Sequence, residues 1–365
     1  MRRGSTLNAH RINGFHLPPT TETAASRPHR NSPLPAIGTP YTYLEVSTSE
    51  NSWYLPSARY SPHAGTTTPF ERKHMSHATV AVLGQGPMGA ALARALLDAG
   101  VPTTVWNRTA ERSAPQVAAG AEVALSAEDA VRSSDLVLAV LRDHAATRVV
   151  LGEVPDDAFA GRTVVGFATS TPDAARATAR WAAERRVSWI SGAIMVPTPL
   201  IGSPEALFLY SGDPVVFEPY AEVLRVLGGD GRHVGTDHGL ASLLDTGMLE
   251  VFFAGMTGFL HAAAMVTAQG VSATDFLPFA RVMVDILPAS LEGLARDVDT
   301  GAYPGTEDNL AMELSALRHI AEASDDIGLD GRLPHLMRDL AAAAVEAGHG
   351  GDGWSRVVEL LRKPA

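Results

Sequence analysis

The sequence predicts an α/β fold built from two parts, a doubly wound N-terminal domain and an all-α C-terminal domain. From Ala78 to about Val234, short apolar strand-like segments alternate with helical stretches rich in Ala and Arg, an alternation typical of a doubly wound sheet. After Gly235 the pattern is helical throughout. We therefore predict one domain over residues 75–238 and a second over 239–365, preceded by an extension over residues 1–74.

The first strand is predicted at Val80–Leu83, a short, partly β-branched apolar run of the kind found in buried parallel strands. Gly84, Gly86 and Gly89 follow in G-x-G-x-x-G spacing, and a helix is predicted from near Met88. In this pattern the first glycine makes a tight turn, the second lets the backbone approach a pyrophosphate, and the third lets the helix pack closely. The pattern predicts a Rossmann dinucleotide site with contacts from Gly84, Gln85, Gly86, Pro87, Met88 and Gly89. The alternative is a glycine turn of structural importance only.

The second strand, Thr103–Trp106, indicates which dinucleotide binds. An NAD site usually has Asp or Glu after this strand, whereas this chain has Asn107, Arg108 and Thr109, with Arg112 one turn later. Guanidinium groups favour a 2′-phosphate, which a carboxylate would repel. We predict NADP(H) as the cofactor, with these four residues around the phosphate; the alternative is that Arg108 is an ordinary solvated loop residue.

Two further cofactor contacts are predicted at the ends of later strands. The other strand-like segments are residues 136–141, Thr163–Phe167, 188–190 and 206–211. Ligands of doubly wound sheets bind outside the carboxyl ends of the strands, which favours Leu141 and Thr169 as cofactor contacts, with Thr171 close by. The alternative for the two threonines is turn chemistry at the end of a strand.

Composition excludes several classes of function. The net charge of −11 and the pI of about 5.6 argue against nucleic acid or an anionic membrane as a partner. The absence of Cys excludes disulfides, thiolate nucleophiles and Cys-based metal sites, and is compatible with the cytoplasmic location that we expect. None of His233, His238, His261, His319 and His349 has the spacing of a metal site, and we predict no bound metal.

Residues 1–74 differ from the rest of the chain. They are rich in Pro, Ser, Thr and Arg, lack hydrophobic periodicity, and carry eight Lys or Arg against four Glu. We expect this segment to be disordered and dispensable for function, as an upstream extension ahead of Met75. Its Arg and Ser content would also suit a transit peptide.

The C-terminal part is predicted to contain four helices, at residues 240–266, 274–299, 308–327 and 333–348. The first is long and carries many small residues, including Gly247, Gly255 and Gly258, which let another helix approach closely. It has no run of 18 apolar residues, so we expect a buried helix rather than a membrane span. We predict that it joins the two domains and that the helical domains of two subunits intertwine as a homodimer; the alternative is a core helix inside one subunit.

Asp245 is the candidate catalytic residue, because it interrupts an apolar stripe of this helix that includes Met248, Leu249 and Phe252 at i+3, i+4 and i+7. A carboxylate on such a face has to be paired, protonated or functional. The alternative is an acid near the helix N-terminus that is stabilised by the helix dipole.

Several motifs together carry a resemblance to a known family. They are GQGPMG at residues 84–89, WNRT at 106–109, TSTP at 169–172, GAIMVPTPLIGSPEALFLYSG at 192–212, GTDHGLASLLD at 235–245, GFLHA at 258–262, DNLAMELSAL at 308–317 and GHGG at 348–351. From about Ala78 nearly to the C-terminus, the chain resembles NADPH-dependent imine reductases and reductive aminases. The resemblance implies hydride transfer from NADPH to the C=N bond of an imine, or of an imine formed from a ketone and an amine.

The parent superfamily, the β-hydroxyacid dehydrogenases, has a lysine and an asparagine on the interdomain helix. In that register this chain has Asp245 and Leu249, and Ile194 to Pro197 replace a glycine-rich substrate loop. A carboxylate attracts a protonated imine that a lysine would repel. A hydroxyacid dehydrogenase and a non-enzymatic NADP-binding sensor remain the two alternatives.

The resemblance also implies a substrate pocket. Asp245 either donates the proton to the imine or stabilises an iminium ion, and the sequence does not choose between these roles. Phe253 occupies a position often held by a tyrosine in relatives, Met283 one often held by tryptophan, and Glu313 one often held by glutamine. The expected pocket is mostly apolar and consists of Met195, Met248, Phe252, Phe253 and Met283. For each of these residues, ordinary core packing is the alternative.

Overall fold

The computed structural model describes residues 78–362, so the prediction for residues 1–74 lies outside the described part. The N-terminal region contains eight strands: β1 Val80–Leu83, β2 Thr103–Trp106, β3 Glu122–Val123, β4 Leu136–Val140, β5 Thr163–Phe167, β6 Ser188–Ile194, β7 Leu207–Gly212 and β8 Asp230–Gly235. Its helices are α1 Pro87–Asp98, α2 Ala114–Ala118, α3 Ala127–Arg132, α4 His144–Gly152, α5 Pro172–Glu184, α6 Pro214–Phe217 and α7 Ala221–Arg225.

The C-terminal region is helical, as predicted. It contains α8 Leu240–Ala268, α9 Ala273–Thr300, α10 Leu310–Asp326, α11 Arg332–Ala344 and the short α12 Val358–Leu361. The bounds of α8 to α10 lie within two residues of the predicted ones. The predicted fourth helix is shorter than expected as an α-helix, because its last turn widens into a π-turn over Val345–His349, where Gly348 adopts φ +91°.

The strands form one sheet in the order β3-β2-β1-β4-β5-β6-β7-β8. All neighbouring strands are parallel except β6 and β7. The β6–β7 connection holds only a 3₁₀ turn at Thr198–Leu200 instead of a crossover helix, so the chain returns in the opposite direction. Strands β3 and β8 were not predicted from the sequence, and β6 ends at Ile194, four residues after its predicted end at Ile190.

Apolar side chains cover both faces of the sheet. Val80 and Val82 of β1 face one side and pack with Leu92 and Leu96 of α1, whereas Ala81 and Leu83 face the other and pack with residues of α3 and α5. This alternation along β1 follows from the two-residue period of a strand. With helices on both faces, the predicted doubly wound class is confirmed.

Helix α8 joins the two regions, and its N-terminal end is anchored by the loop that precedes it. Asp237 accepts hydrogen bonds from Arg176 Nη2 of α5 at 2.7 Å and from the Gly239 N–H at 3.0 Å. The guanidinium, more than the N–H group, holds the pKa of Asp237 at about 2. A Cβ atom at position 239 would lie 2.7 Å from the guanidinium of Arg176, so a side chain there would force the end of Arg176 to shift.

Most of α8 is exposed in the single chain. Only Ala241, Ser242, Asp245 and Ala263 of its residues are buried, and no residue of α9 is buried. This exposure contradicts the alternative of a core helix inside one subunit. By length and composition alone α8 would be able to cross a membrane, with a mean hydropathy of 1.6 over its most apolar 18 residues. Core helices of soluble proteins meet the same criterion.

Candidate cofactor cleft and acid site

In the turn between β1 and α1, two of the three glycines leave no room for a side chain. Gly84 adopts φ +99°, and a Cβ atom there would strike the carbonyl oxygen of Val140. A Cβ atom at Gly89 would strike the carbonyl oxygen of Gly84. At Gly86, by contrast, no atom lies within 4 Å of an added Cβ. The second glycine thus leaves open space at the start of α1, where a pyrophosphate would approach the backbone.

Asn107 connects the tip of β2 to this glycine turn. Its Oδ1 accepts a hydrogen bond from the Gln85 N–H at 2.9 Å, and its Nδ2 donates to the Thr109 carbonyl oxygen at 2.8 Å. The side chain of Gln85 is buried and donates to the Val82 carbonyl oxygen at 3.0 Å. Asn107 therefore links the glycine turn to the loop after β2. The side chain of Gln85 points into the protein.

These elements line a cleft of about 640 Å³ at the carboxyl ends of the parallel strands. Every predicted cofactor residue lines it except Gln85: Gly84, Gly86, Pro87, Met88, Gly89, Asn107, Arg108, Thr109, Arg112, Leu141 and Thr169. Sequence reasoning missed the other lining residues: Trp106, Val140, Arg142, Ala146, Val150, Phe167, Ala168, Ala193 and Ile194. The rule that ligands bind at the carboxyl ends of strands, applied to β4, β5 and β6, would have indicated most of them.

The two threonines after β5 have different environments. Thr169 lines the cleft. Thr171 caps α5 by accepting a hydrogen bond from the Ala174 N–H at 3.3 Å, which is the turn chemistry that the sequence analysis kept as an alternative.

Arg108, Arg112 and Arg142 line the cleft, and no Asp or Glu does. Arg142 pairs with its neighbour Asp143 at 2.8 Å, and that carboxylate also caps α4. Within residues 78–362, neither Arg108 nor Arg112 takes part in an ion pair. A cleft with three cations and a helix N-terminus matches a ligand that carries a pyrophosphate and a further phosphate.

Asp245 lies beside this cleft on α8. One turn earlier, Ala241 packs against Ala193, which lines the cleft, and Asp245 follows on the same helix face. Asp245 is 3% exposed, and burial raises the pKa of its carboxyl. Within residues 78–362 no charged group or hydrogen-bond donor offsets this burial. Asp245 is the sixth residue of α8, beyond the first turn, so the helix-dipole alternative is wrong.

None of the five predicted pocket residues lines the described cleft in the single chain. Met195 packs against the cluster of Ala193, Leu209 and Ala241, at the base of α8. Met248, Phe252, Phe253 and Met283 are exposed on α8 and α9, Phe252 and Met283 at 60% and 64%, and none of them lines the cleft. Their role in a substrate pocket stays a prediction.

Glu313 lies on α10. One of its carboxyl oxygens is buried without a hydrogen-bond partner in the described part of the chain. Burial, and to a smaller extent Asp308, raises the pKa of Glu313. Residues 78–362 contain no group of three or more His, Asp or Glu side chains placed to hold a metal ion.

Comparisons with known proteins agree with this geometry. The family model for the NAD binding domain of 6-phosphogluconate dehydrogenase matches residues 79–235, and that for the NADPH-dependent reductive aminase-like C-terminal domain matches 237–363. The chain is 31% identical over 287 residues to an NADPH-dependent reductive aminase of Aspergillus oryzae, covering 78% of this chain and 97% of the relative.

Solved structures are similar over the same extent. An imine reductase of Streptomyces aurantiacus is 34% identical with a TM-score of 0.74, covering 78% of this chain and all of that one. A reductive aminase of Aspergillus terreus, in complex with NADPH4, cyclohexanone and allyl amine, is 35% identical with a TM-score of 0.73. That match covers 79% of this chain and all of that one.

Fold and cleft together define a Rossmann-type dinucleotide-dependent oxidoreductase with a helical C-terminal domain. The chain belongs to the family of NADPH-dependent reductive aminases and imine reductases. The predicted family is confirmed, and the predicted cofactor, NADP(H), agrees with the names of these relatives.

Replacing Gly86 with Ala is expected to weaken cofactor binding without unfolding the protein. The added methyl meets no protein atom within 4 Å but occupies the space of the approaching pyrophosphate. We expect the Kd for NADPH, measured by calorimetric titration, to rise about tenfold or more, with an unchanged Tm. Gly152→Ala, at another open glycine, is the control. An unchanged Kd in Gly86→Ala would contradict this assignment.

Replacing Arg108 with Ala tests the basis of cofactor choice. Loss of a charge-assisted hydrogen bond to the 2′-phosphate costs about 1.5–3 kcal/mol, which corresponds to about a 10- to 100-fold higher Kd for NADPH. NADH lacks that phosphate, so its Kd serves as the internal control and is expected not to change. An equal rise in the Kd of both cofactors would show that Arg108 does not contribute to the preference for NADPH over NADH.

Proposed function

We propose that this protein is an NADPH-dependent imine reductase, which reduces the C=N bond of an apolar imine to an amine. The observation that carries the proposal is the buried carboxyl of Asp245, without a compensating cation, beside the cofactor cleft. Membership in the reductive aminase and imine reductase family supports it.

The residues present fit NADPH. Gly84 and Gly89 shape the turn, Gly86 leaves space over the start of α1, and Arg108 and Arg112 suit the 2′-phosphate. When bound, NADPH supplies the hydride that the imine carbon accepts. Thr169, Ala193 and Ile194 line the part of the cleft formed by the ends of β5 and β6, and Ala193 packs against Ala241, one turn before Asp245 on α8.

Asp245 then acts as the proton donor. Because burial disfavours its charged form, the carboxyl holds a proton at a higher pH than an ordinary aspartate does. The carboxyl O–H bond breaks as the imine nitrogen takes the proton, and the resulting carboxylate faces the iminium ion. Hydride addition to the iminium carbon completes the amine, and solvent reprotonates Asp245.

A hydroxyacid dehydrogenase is the weaker candidate. Such an enzyme binds a substrate carboxylate, and position 245 of α8 supplies an acid instead of a cation that could pair with that carboxylate. Incubation with NADPH and a cyclic imine such as a pyrroline, followed by loss of nicotinamide absorbance, tests the proposal. Oxidation of a hydroxyacid with NADP⁺ and no turnover of the imine would favour the dehydrogenase, and tight NADPH binding without any turnover would favour a sensor.

We also propose that two copies of the chain associate through α8 and α9. These helices carry many exposed apolar side chains: Met248, Val251, Phe252, Phe253, Leu260, Phe279, Val282, Met283, Val284, Ile286 and Leu287. Apolar surface on this scale marks a binding surface. A second copy that covered it would exclude water from the exposed pocket residues.

Asp245→Asn is expected to lower kcat for the imine by roughly 100-fold or more, because the amide cannot transfer the proton. In the wild type, kcat is expected to fall as pH rises through the raised pKa of Asp245. This decrease of kcat with pH is expected to be absent in the variant. A pH profile of kcat measures both. Wild-type turnover in Asp245→Asn would overturn the assignment.

The same substitution has an expected effect on stability. A raised carboxyl pKa makes the folded state less stable as pH rises through it, since the buried group must then ionise. Asn cannot ionise, so the Tm of the variant is expected to match that of the wild type below the pKa of an ordinary aspartate, and to exceed it increasingly as pH rises from there through the raised pKa.

Association is tested by sedimentation. Wild-type protein is expected to sediment as a dimer, and Leu260→Glu, which places a charge on the exposed face of α8, as a monomer. Leu125→Glu is the matched control, because Leu125 is 92% exposed outside these helices. A monomeric wild type would contradict the proposed association.

A further inference from the structure

Three hydrogen-bonding side chains connect the wall of the cofactor cleft to α8. His144 is the first residue of α4, and its Nε2 lies 2.8 Å from the Oγ of Ser170, in the loop after β5. The Oγ of Ser170 in turn lies 3.4 Å from the Oγ of Ser242, in the first turn of α8. His144 and Ser242 are 6% and 4% exposed. We call His144, Ser170 and Ser242 the polar bridge.

The hydrogen bond between His144 and Ser170 has a definite direction. Burial lowers the pKa of His144, and the nearby charge of Arg148 lowers it further, which outweighs the opposite effect of Asp143. The imidazole is therefore neutral near pH 7 and carries one N–H group. Its Nδ1 is buried and has no partner in residues 78–362. Because an unpaired buried N–H is rarer and costlier than an unpaired acceptor, the proton belongs on Nε2 and is donated to Ser170.

The hydroxyl of Ser170 is then free to donate onward. Its two acceptors are the Ser242 Oγ at 3.4 Å and the Thr171 carbonyl oxygen at 3.3 Å. Both distances are long, so the proton is shared between two weak bonds. The link to α8 therefore depends on how firmly His144 holds Ser170 in place.

The polar bridge is adjacent both to residues that line the cofactor cleft and to Asp245 on α8. Thr169, adjacent to Ser170, and Ala146, two residues after His144, line the cleft. Ser242 and Asp245 are three residues apart and both buried, so they lie on the same face of α8. A shift of α8 at Ser242 would move the carboxyl of Asp245 with it, because the helix is rigid over a single turn.

We propose that His144, Ser170 and Ser242 are positioning residues that hold the first turn of α8, and with it Asp245, at a fixed place relative to the cofactor cleft. This inference rests on the proposed role of Asp245. No residue of the polar bridge takes part in the chemistry. The three side chains determine the position of Asp245.

His144→Phe and His144→Gln form the decisive pair of variants. Phe fills the space of the imidazole without a hydrogen bond, whereas the amide of Gln is able to donate from the position of Nε2. We expect His144→Phe to lower kcat for a pyrroline about 10- to 100-fold, since a displacement of about 1 Å at a catalytic group has effects of this size. The KM for NADPH is expected to stay within about twofold, and His144→Gln to recover most of kcat.

A double-mutant cycle tests whether the residues act as one unit. Ser242→Ala is expected to lower kcat, and combining it with His144→Phe is expected to add little, because either change already breaks the bridge. Ser324→Ala is the control: Ser324 is a fully buried serine of α10 whose hydroxyl donates only to the Ile320 carbonyl oxygen. We expect it to leave kcat unchanged.

Amide hydrogen exchange gives a readout that does not depend on turnover. The amides of residues 240–248 are expected to exchange faster in His144→Phe than in the wild type and in His144→Gln. Unchanged kcat and unchanged exchange in His144→Phe, or no recovery in His144→Gln, would overturn the inference. A wild type that does not reduce the imine would instead defeat the proposed function, and the exchange data would then decide the structural link alone.

Discussion

The packing of Ala241 against the sheet is the contact on which the site depends. Ala241 is fully buried and packs against Ala193 of β6 and Leu209 of β7. Since Ala193 also lines the cleft, this contact fixes how far the axis of α8 lies from the cofactor site. A larger side chain at position 241 would push the helix away, because packed interiors have little room for extra atoms. The Arg176–Asp237 pair and the polar bridge hold the same turn from two other sides.

Charge is distributed unequally between the two halves of the site. The cleft is lined by three arginines and no acid, which balances the phosphates of a dinucleotide. Asp245 stands in surroundings that disfavour its ionised form. In the proposed reaction, proton transfer from a neutral carboxyl to a neutral imine creates both charges at once, as a pair. Neither ion has to be buried alone, which would cost several kcal/mol, and the apolar surroundings strengthen their attraction.

Helices α8 and α9 expose apolar faces to solvent in the single chain. Helix α9 has no buried residue, although its sequence is amphipathic, and Phe252 and Phe253 pack edge to face on each other in the open. In the proposed dimer these faces meet a second copy, and the same surface would then supply both the subunit contact and the apolar side of the substrate pocket. Exclusion of water at that surface would also reinforce the raised pKa of Asp245.

Features that depend on local sterics and periodicity were predictable from the residues alone. The bounds of β1, β2 and β5 agree with the predicted ones, the glycine turn follows from backbone clashes within the motif, and helix periodicity marks Asp245 as an acid on an apolar face. The antiparallel placement of β7, the position of Arg142 in the cleft and the polar bridge depend instead on how distant parts of the chain pack. The bridge joins residues 26 and 72 positions apart, and no local pattern marks them. Such contacts arise only when the sheet order brings the ends of distant strands and helices together.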